Sequence, residues 1–377
     1  MGSVTGRSLK LSLYGESHGV GIGVVIDGLP SGYHIDMDPV IKSMKRRAPG
    51  GSGVWATKRK EEDIPEIMSG IWNGYTTGTP LCAMIRNTDT RSSDYSDALR
   101  IPRPGHADIT GNLRYSGYSD PRGGGHFSGR LTAGMVFAGA VCEQILKSSL
   151  PLIIYSQIRS IGKVIDIGDA EYADDMLIME LMGSEFPVMD RDSGEKMRKV
   201  IADAAAEGDS VGGVISTFIK GFPSGIGDPV FEGMESGLAS AIFSVPGVKG
   251  VEFGSGFAGS ALMGSQNNDV PFYPEDGENH GYKDISYKTN NSGGIQGGIT
   301  NGMPIVIRTA FRPTASIGRE QMSVDVVKGA ETQLKVTGRH DPCIVPRAIP
   351  VIEAVCAYKL LDHLITSGQL KRKGISI

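Results

Sequence analysis

Apolar and polar positions alternate over residues 9–14, and an apolar run follows over 21–26. Two strands are therefore predicted, joined by the tight turn Gly15-Glu16-Ser17-His18-Gly19. Asp36-Met37-Asp38-Pro39 sets acidic residues and a proline into a first helical turn. That helix gathers Lys42, Lys45, Arg46 and Arg47 towards its C-terminal end, where cations suit the helix dipole, and breaks at Pro49-Gly50-Gly51. Residues 132–149 are apolar on nearly every side and predict a helix enclosed by core. Strands are predicted over 152–157, 211–218 and 304–311, the last rich in β-branched residues. Between the first two, Ser193 is placed as the cap of a helix showing Met197, Val200, Ile201 and Ala204 on one face. A last helix is predicted over 348–366, closing at Gly368.

Two stretches lack such periodicity. Residues 102–130, PRPGHADITGNLRYSGYSDPRGGGHFSGR, read as a long loop anchored by the core helix that follows. It carries Arg103, His106, Asp108, Arg114, Asp120, Arg122, His126 and Arg130 around three consecutive glycines, a combination suited to a multiply charged anion. The second stretch, 264–302, contains NNSGGIQGGITNG. An internal echo links the two halves: a strand enters Gly28-Leu29-Pro30-Ser31-Gly32, and another enters Gly221-Phe222-Pro223-Ser224-Gly225. Two related halves sharing one core explain this better than two independent domains, giving a single domain over 1–377.

Composition narrows the function. The formal net charge of −4 provides no basic field for nucleic acid or an anionic membrane. The 53 glycines are about twice the usual share and sit in clusters, as in tight loops around a ligand. The four cysteines, Cys82, Cys142, Cys343 and Cys356, have no metal-site spacing and read as free thiols in a reducing compartment. No signal-peptide h-region and no run of about 18 apolar residues is seen, so a cytoplasmic location is expected.

Four places compete for the chemistry: the GESHG turn, the first basic helix, the Arg/His/Gly stretch, and Gly338-Arg339-His340-Asp341-Pro342. Arg47, at the helix break, is the anion candidate on the basic helix, whereas Lys42, Lys58 and Lys60 read as solvated. Neither a dinucleotide fingerprint nor a Walker A motif appears, so phosphate binding must rest on arginines and loop amides. Histidines with aspartate and arginines suggest acid–base work on a phosphorylated or carboxylated substrate. The rival is metal-dependent phosphate hydrolysis using His18, His106, His126, His340, Asp108 and Asp341, whose spacings match no zinc motif.

In order along the chain, YGESHG, RRAPG, NGYTTGTPL, NTDTRSSDY, RPGHAD, RGGGHFSGR, VKGVEFG, NNSGGIQGGITNGMPI, RPTASI and GRHDPCIVPRAIPVIEA resemble the chorismate synthase family. The resemblance implies an α+β fold, a β-α-β sandwich of two antiparallel sheets around central helices. It implies conversion of 5-enolpyruvylshikimate 3-phosphate to chorismate and phosphate, with reduced FMN that is not consumed overall, in a homotetramer. By resemblance, His18 protonates the departing phosphate, His106 protonates the reduced flavin, and Asp341 assists proton removal. Arg47, Arg103, Arg130 and Arg339 are implied to bind substrate phosphate and carboxylates. FMN contacts are implied at His126, Phe127, Ser128, Pro246, Gly247 and Gly297, at Arg312, Pro313, Thr314, Ala315 and Ser316, and at Arg339. Members that reduce their own flavin with NADPH tend to be longer, so an external flavin reductase is expected here. No metal is expected, and the non-enzymatic alternative is an inactive flavin-binding protein.

Three departures from the common family pattern stand out. HFSGR replaces RSSAR, putting His126 and Phe127 for arginine and serine. RPTAS replaces KPTSS through Arg312 and Ala315, and RRAPG with Gly53 alters two positions of an arginine-rich segment. Particular FMN and substrate contacts are the ones affected, above all any side-chain role for Phe127.

Overall fold

The computed structural model of the chain describes residues 2–50, 53, 61–88, 99–274, 281–336 and 340–370. Arg339, Lys58 and Lys60 lie outside the described residues. The chain is mixed α and β, with two five-stranded antiparallel sheets. In spatial order the first holds Val4–Thr5, Lys10–Gly15, Gly21–Asp27, Leu81–Arg86 and Pro65–Ser69. The second holds Val248–Phe253, Ile305–Phe311, Gly213–Lys220, Ile153–Ile161 and Val164–Ile165. The strands predicted at 9–14 and 21–26 pair as neighbours, with Leu11 opposite Ile26 and Leu13 opposite Val24. Ile22, Val24 and Ile26 are buried on one side of the second of them, as a period of two requires.

Helix Thr132–Lys147 packs on the first sheet, and helix Val345–Thr366 packs on Ile153–Ile161 and Gly213–Lys220 of the second. These two helices also pack against each other. Their approach is set by Gly139, where a Cβ would collide with the backbone and side chain of Ala354. One hydrophobic core runs from Val24 through Phe137, Val141, Ile352 and Cys356 to Ile158 and Ile215. All four cysteines are free, and burial pushes the Cys343 thiol up to about 12, so it stays protonated at neutral pH.

The internal echo extends to hydrogen bonds. Thr76 donates its hydroxyl to Pro30 O at 2.7 Å and accepts from Tyr33 N at 3.0 Å, while its carbonyl accepts from Gly32 N at 2.8 Å. Thr300 does the same with Pro223 O at 2.7 Å, Ile226 N at 3.0 Å and Gly225 N at 2.8 Å. Each threonine ends a two-stranded hairpin, Ile71–Trp72 with Tyr75–Thr76 and Ile295–Gln296 with Ile299–Thr300.

Three local expectations change. Helix Arg191–Ala206 is capped by Asp190, which accepts from Ser193 N at 2.7 Å; Ser193 itself is buried in the first turn. The last helix begins one turn earlier, at Val345, because Pro346 fits its first turn. The 102–130 stretch is not one loop: it contains helix Asp108–Arg114 and short 3-10 turns at Arg122–Phe127 and Gly129–Leu131.

Candidate active site

A cavity of about 290 Å³ opens where the first helix, Met37–Arg47, ends, beside the 102–130 stretch and the start of helix Val345–Thr366. Of the expected acid–base groups it brings in His106 and Asp341, and of the arginines Arg47, Arg103 and Arg130. The expected cofactor positions Phe127, Ser128, Pro246 and Gly247 also line it, as do Arg312, Pro313, Thr314, Ala315 and Ser316. Pro246 and Gly247 precede strand Val248–Phe253, and the segment from Arg312 leaves strand Ile305–Phe311. The backbone N–H of Arg312 donates to Gly247 O at 3.0 Å, which holds these two walls together.

Helix Asp108–Arg114 organises the histidine. His106 Nδ1 stands 2.6 Å from Asp108 Oδ1, and Arg103 Nη2 donates to the same oxygen at 2.7 Å. Arg103 Nε and its backbone N–H both donate to Asp108 Oδ2, at 2.8 and 2.9 Å. Burial disfavours the Asp108 charge, but hydrogen bonds from Arg103 and His106 outweigh it and hold the carboxyl well below the usual carboxylate range. Arg103 Nη2 also stands 3.0 Å from His106 Nδ1, but an ionised carboxylate can only accept, so the shorter contact to Asp108 favours a proton on Nδ1.

The glycine run lies between the two expected catalytic histidines. Gly123, Gly124 and Gly125 have φ of 60°, 89° and 52°, a backbone that side chains resist. A Cβ on Gly123 would collide with the ring of His18, and one on Gly124 would press on His106 at 3.1 Å. His18 is 8% exposed and packs behind Gly123, which lines the cavity; His18 itself does not line it.

The arginines are met by internal carboxylates. Asp63 bridges two of them, with Oδ1 on Arg130 Nη1 and Oδ2 3.0 Å from Arg47 Nη2. Glu61 stands 3.7 Å from Arg130 Nη2 and accepts from the Thr88 hydroxyl at 3.0 Å. Burial lowers the Arg47 guanidinium to about 10 against the raising pull of Asp63, so it remains charged at neutral pH. Arg347 ion-pairs with Asp341 and donates from Nε to Arg47 O at 3.1 Å. Asp63, Glu61 and Arg347 were not singled out from the sequence, although Arg347 stands within GRHDPCIVPRAIPVIEA and the other two lie between RRAPG and NGYTTGTPL.

Two expected cofactor residues stand elsewhere. The His126 ring spans Ser3 Oγ at 2.8 Å and Gly15 O at 3.0 Å, buttressing the N-terminal strands, and does not line the cavity. Gly297 forms the turn of the Ile295–Gln296 hairpin with Gly298, φ 62° and 83°, and is likewise outside the cavity. Phe127 gains a clear role: its ring covers Gly111, where a Cβ would strike it, and tilts against Tyr115 with centroids 6.1 Å apart. Among the described residues no three His, Cys, Asp or Glu side chains gather as a metal site. Among the described residues no helix is long and apolar enough to cross a membrane.

Comparison with known proteins gives one answer throughout. The family model described as chorismate synthase matches residues 9–365. The chain is 46% identical over 361 residues to a chorismate synthase of Pyrococcus abyssi, covering 96% of this chain and 97% of that one. It is 44% identical over 368 residues to that of Microcystis aeruginosa, covering 97% and 96%. A crystal structure of chorismate synthase superposes with a TM-score of 0.73 at 28% identity, covering 96% of this chain and 93% of the other.

Proposed function

The chain belongs to the chorismate synthase family, and from that premise we propose that this cavity converts 5-enolpyruvylshikimate 3-phosphate to chorismate and inorganic phosphate with reduced FMN. The observation that carries the reading is the meeting of His106, Asp341 and three arginines with the Pro246-Gly247 and Arg312–Ser316 walls in one cavity.

The reaction breaks the C3–O bond, releasing phosphate, and removes a hydrogen from C6 that is not acidic. Reduced FMN, when bound, supplies the electron density that loosens the C–O bond. The wall fits a flat ring with an anionic tail: Val245, Pro246, Phe311 and Ile344 are apolar, and Arg312 offers a cation. The Thr314 hydroxyl is buried there without a protein partner, a polar atom that a ligand can satisfy. Phe127 and Arg312, which depart from the common pattern, keep this character.

The chain's own residues then divide the work. Arg47, Arg103 and Arg130, with Arg339, hold phosphate and carboxylates. His18 protonates the departing phosphate past Gly123, where a side chain would collide with its ring. His106 holds a proton at Nε2 while Asp108 fixes its other nitrogen. Asp341, oriented by Arg347, accepts a proton. The enclosing walls keep water from these charges.

The finer expectations belong to the same reading. The chain is one domain of two related halves, arranged as a β-α-β sandwich with helices Thr132–Lys147 and Val345–Thr366 between the sheets. It assembles as a homotetramer, works in the cytoplasm and takes reduced flavin from an external reductase. His126 and Gly297 serve the cofactor only through contacts outside this cavity.

The test is anaerobic, with purified protein, chemically reduced FMN and 5-enolpyruvylshikimate 3-phosphate. Phosphate release and chorismate absorbance should appear together and only with reduced flavin. Turnover without flavin, or binding of neither ligand, would overturn the reading.

A further inference from the structure

Arg47 and Arg130 are each buried to within a few per cent, 3% and 6% exposed, and lie close enough to share one carboxylate. Two guanidinium groups in so enclosed a place repel; Arg47 Nη1 lies 3.3 Å from the Arg130 backbone oxygen, a contact that leaves the two charges facing each other uncompensated. Asp63 supplies the compensating charge, with one oxygen against each guanidinium. It adopts φ 52° to do so, a left-handed conformation uncommon outside glycine that Asp tolerates better than most. Such conformations persist where surrounding structure holds them, often at functional sites.

The donors of the two arginines differ. Arg130 commits one N–H of each nitrogen to the protein: Nε on Asn87 Oδ1 at 2.9 Å, Nη2 on Arg86 O at 3.0 Å and Nη1 on Asp63. Arg47 places Nη1 near Arg130 O and Thr132 Oγ1, both at 3.3 Å, and pairs Nη2 with Asp63 Oδ2 at 3.0 Å as an ion pair without hydrogen-bond alignment. Arg47 lines the cavity, and its Nε is buried with no protein partner. A buried guanidinium N–H left unpaired is costly, and a ligand anion would satisfy it.

We propose that Asp63 is a positioning residue for substrate recognition, holding Arg47 at the cavity wall by bridging it to Arg130. This rests on the chorismate-forming reading of the cavity and adds to it how the anion site is built. Arg130 is the anchored member, Asp63 the link, and Arg47 the member with a donor left for the substrate. The neighbouring pairs follow the same plan, Arg103 on Asp108 and Arg347 on Asp341. Oriented donors, more than surplus positive charge, then select a substrate with anions at fixed separations.

The experiment compares wild type, Asp63→Asn, Arg47→Gln and the double variant as full chains, anaerobically with chemically reduced FMN. Asp63→Asn should raise KM for 5-enolpyruvylshikimate 3-phosphate by at least about tenfold while kcat stays within about threefold. Oxidised FMN should bind each variant within about twofold of wild type, which a general loss of structure would not leave intact. The double variant should be no worse than Arg47→Gln, because Asp63 acts through Arg47. An unchanged KM would overturn the proposal, and so would losses that multiply in the double variant. A lowered KM would overturn it too, by making Asp63 a competing anion that substrate displaces. Should Asp63→Asn not fold, Asp63→Glu keeps the charge and lengthens the link; it should raise KM with kcat retained, and an unchanged KM would again overturn the proposal. An inactive wild type would count against the reading of the cavity itself, an outcome distinct from any of these.

Discussion

His106 Nδ1 meets Asp108 Oδ1 at 2.6 Å, two residues along the chain, at the first turn of helix Asp108–Arg114. The helix start thereby turns a loop histidine into one with a fixed tautomer. Arg103 closes the arrangement from the other side and reaches Ser316 Oγ at 3.3 Å, tying the histidine to the opposite wall of the cavity. Asp108→Asn keeps the shape and removes the charge. Turnover should fall roughly 100-fold with reduced FMN binding little changed, because the proton inventory of His106 and the seat of Arg103 are both disturbed. Wild-type turnover in a folded Asp108→Asn protein would remove Asp108 from the mechanism.

The same pair sets a pH signature. The folded Asp108 carboxyl titrates below its unfolded value of about 3.9, so its contribution to stability is present above that value and is lost as pH falls further. Urea midpoints of wild type and Asp108→Asn should differ by a constant amount from pH 8 to about 5, then converge below about 4. Convergence already under way at pH 7 would mean that a different group carries the effect.

Gly123→Ala and Gly124→Ala should each cost turnover far more than stability. Both positions have positive φ, and the added methyl group would meet His18 in one case and His106 in the other. A loss of about 100-fold in kcat with a stability change of about 1–2 kcal/mol is expected. Gly129→Ala is the control, since a Cβ there meets nothing within 4 Å. Equal losses at all three positions would show that the glycines serve general loop flexibility.

Much of this was legible in the sequence, for identifiable reasons. Alternation at 9–14 and an all-round apolar helix at 132–149 are local signals, and both elements formed within two residues of expectation. Helix Asp108–Arg114 was hidden because Ile109 and Leu113, its large apolar residues, are 51% and 76% exposed and make no buried stripe. Asp63 and Glu61 were hidden for another reason. In the run Lys58-Arg59-Lys60-Glu61-Glu62-Asp63 acidic residues look solvated, whereas two of them turn inwards to arginines 67 to 69 positions later and 16 earlier, at Arg130 and Arg47. No short-range spacing encodes such a pairing.

His126 illustrates the converse, a motif residue whose side chain serves the scaffold. Its ring joins Ser3 to Gly15 across the first sheet. His126→Ala should lower stability by about 1–2 kcal/mol, read from the urea midpoint, and leave kcat within about threefold. A large loss of FMN affinity without a loss of stability would restore its side chain to the cofactor site.

The paired threonines offer a test of the internal echo that is independent of catalysis. Thr76 and Thr300 each satisfy one carbonyl and one amide of the loop that follows a strand, Pro30 with Tyr33 and Pro223 with Ile226. Both residues are buried, at 3% and 4% exposed, so replacing the hydroxyl by a methyl group leaves an amide and a carbonyl without a partner or nearby water. Thr76→Val and Thr300→Val should therefore each destabilise by about 1–3 kcal/mol. The two networks share no residue, so the double variant should show the sum within about 0.5 kcal/mol. If related halves built these loops, the two costs should also be alike, because the same two groups are left at each site. A cost at one site with none at the other would show that the echo is a resemblance of sequence without a shared structural role.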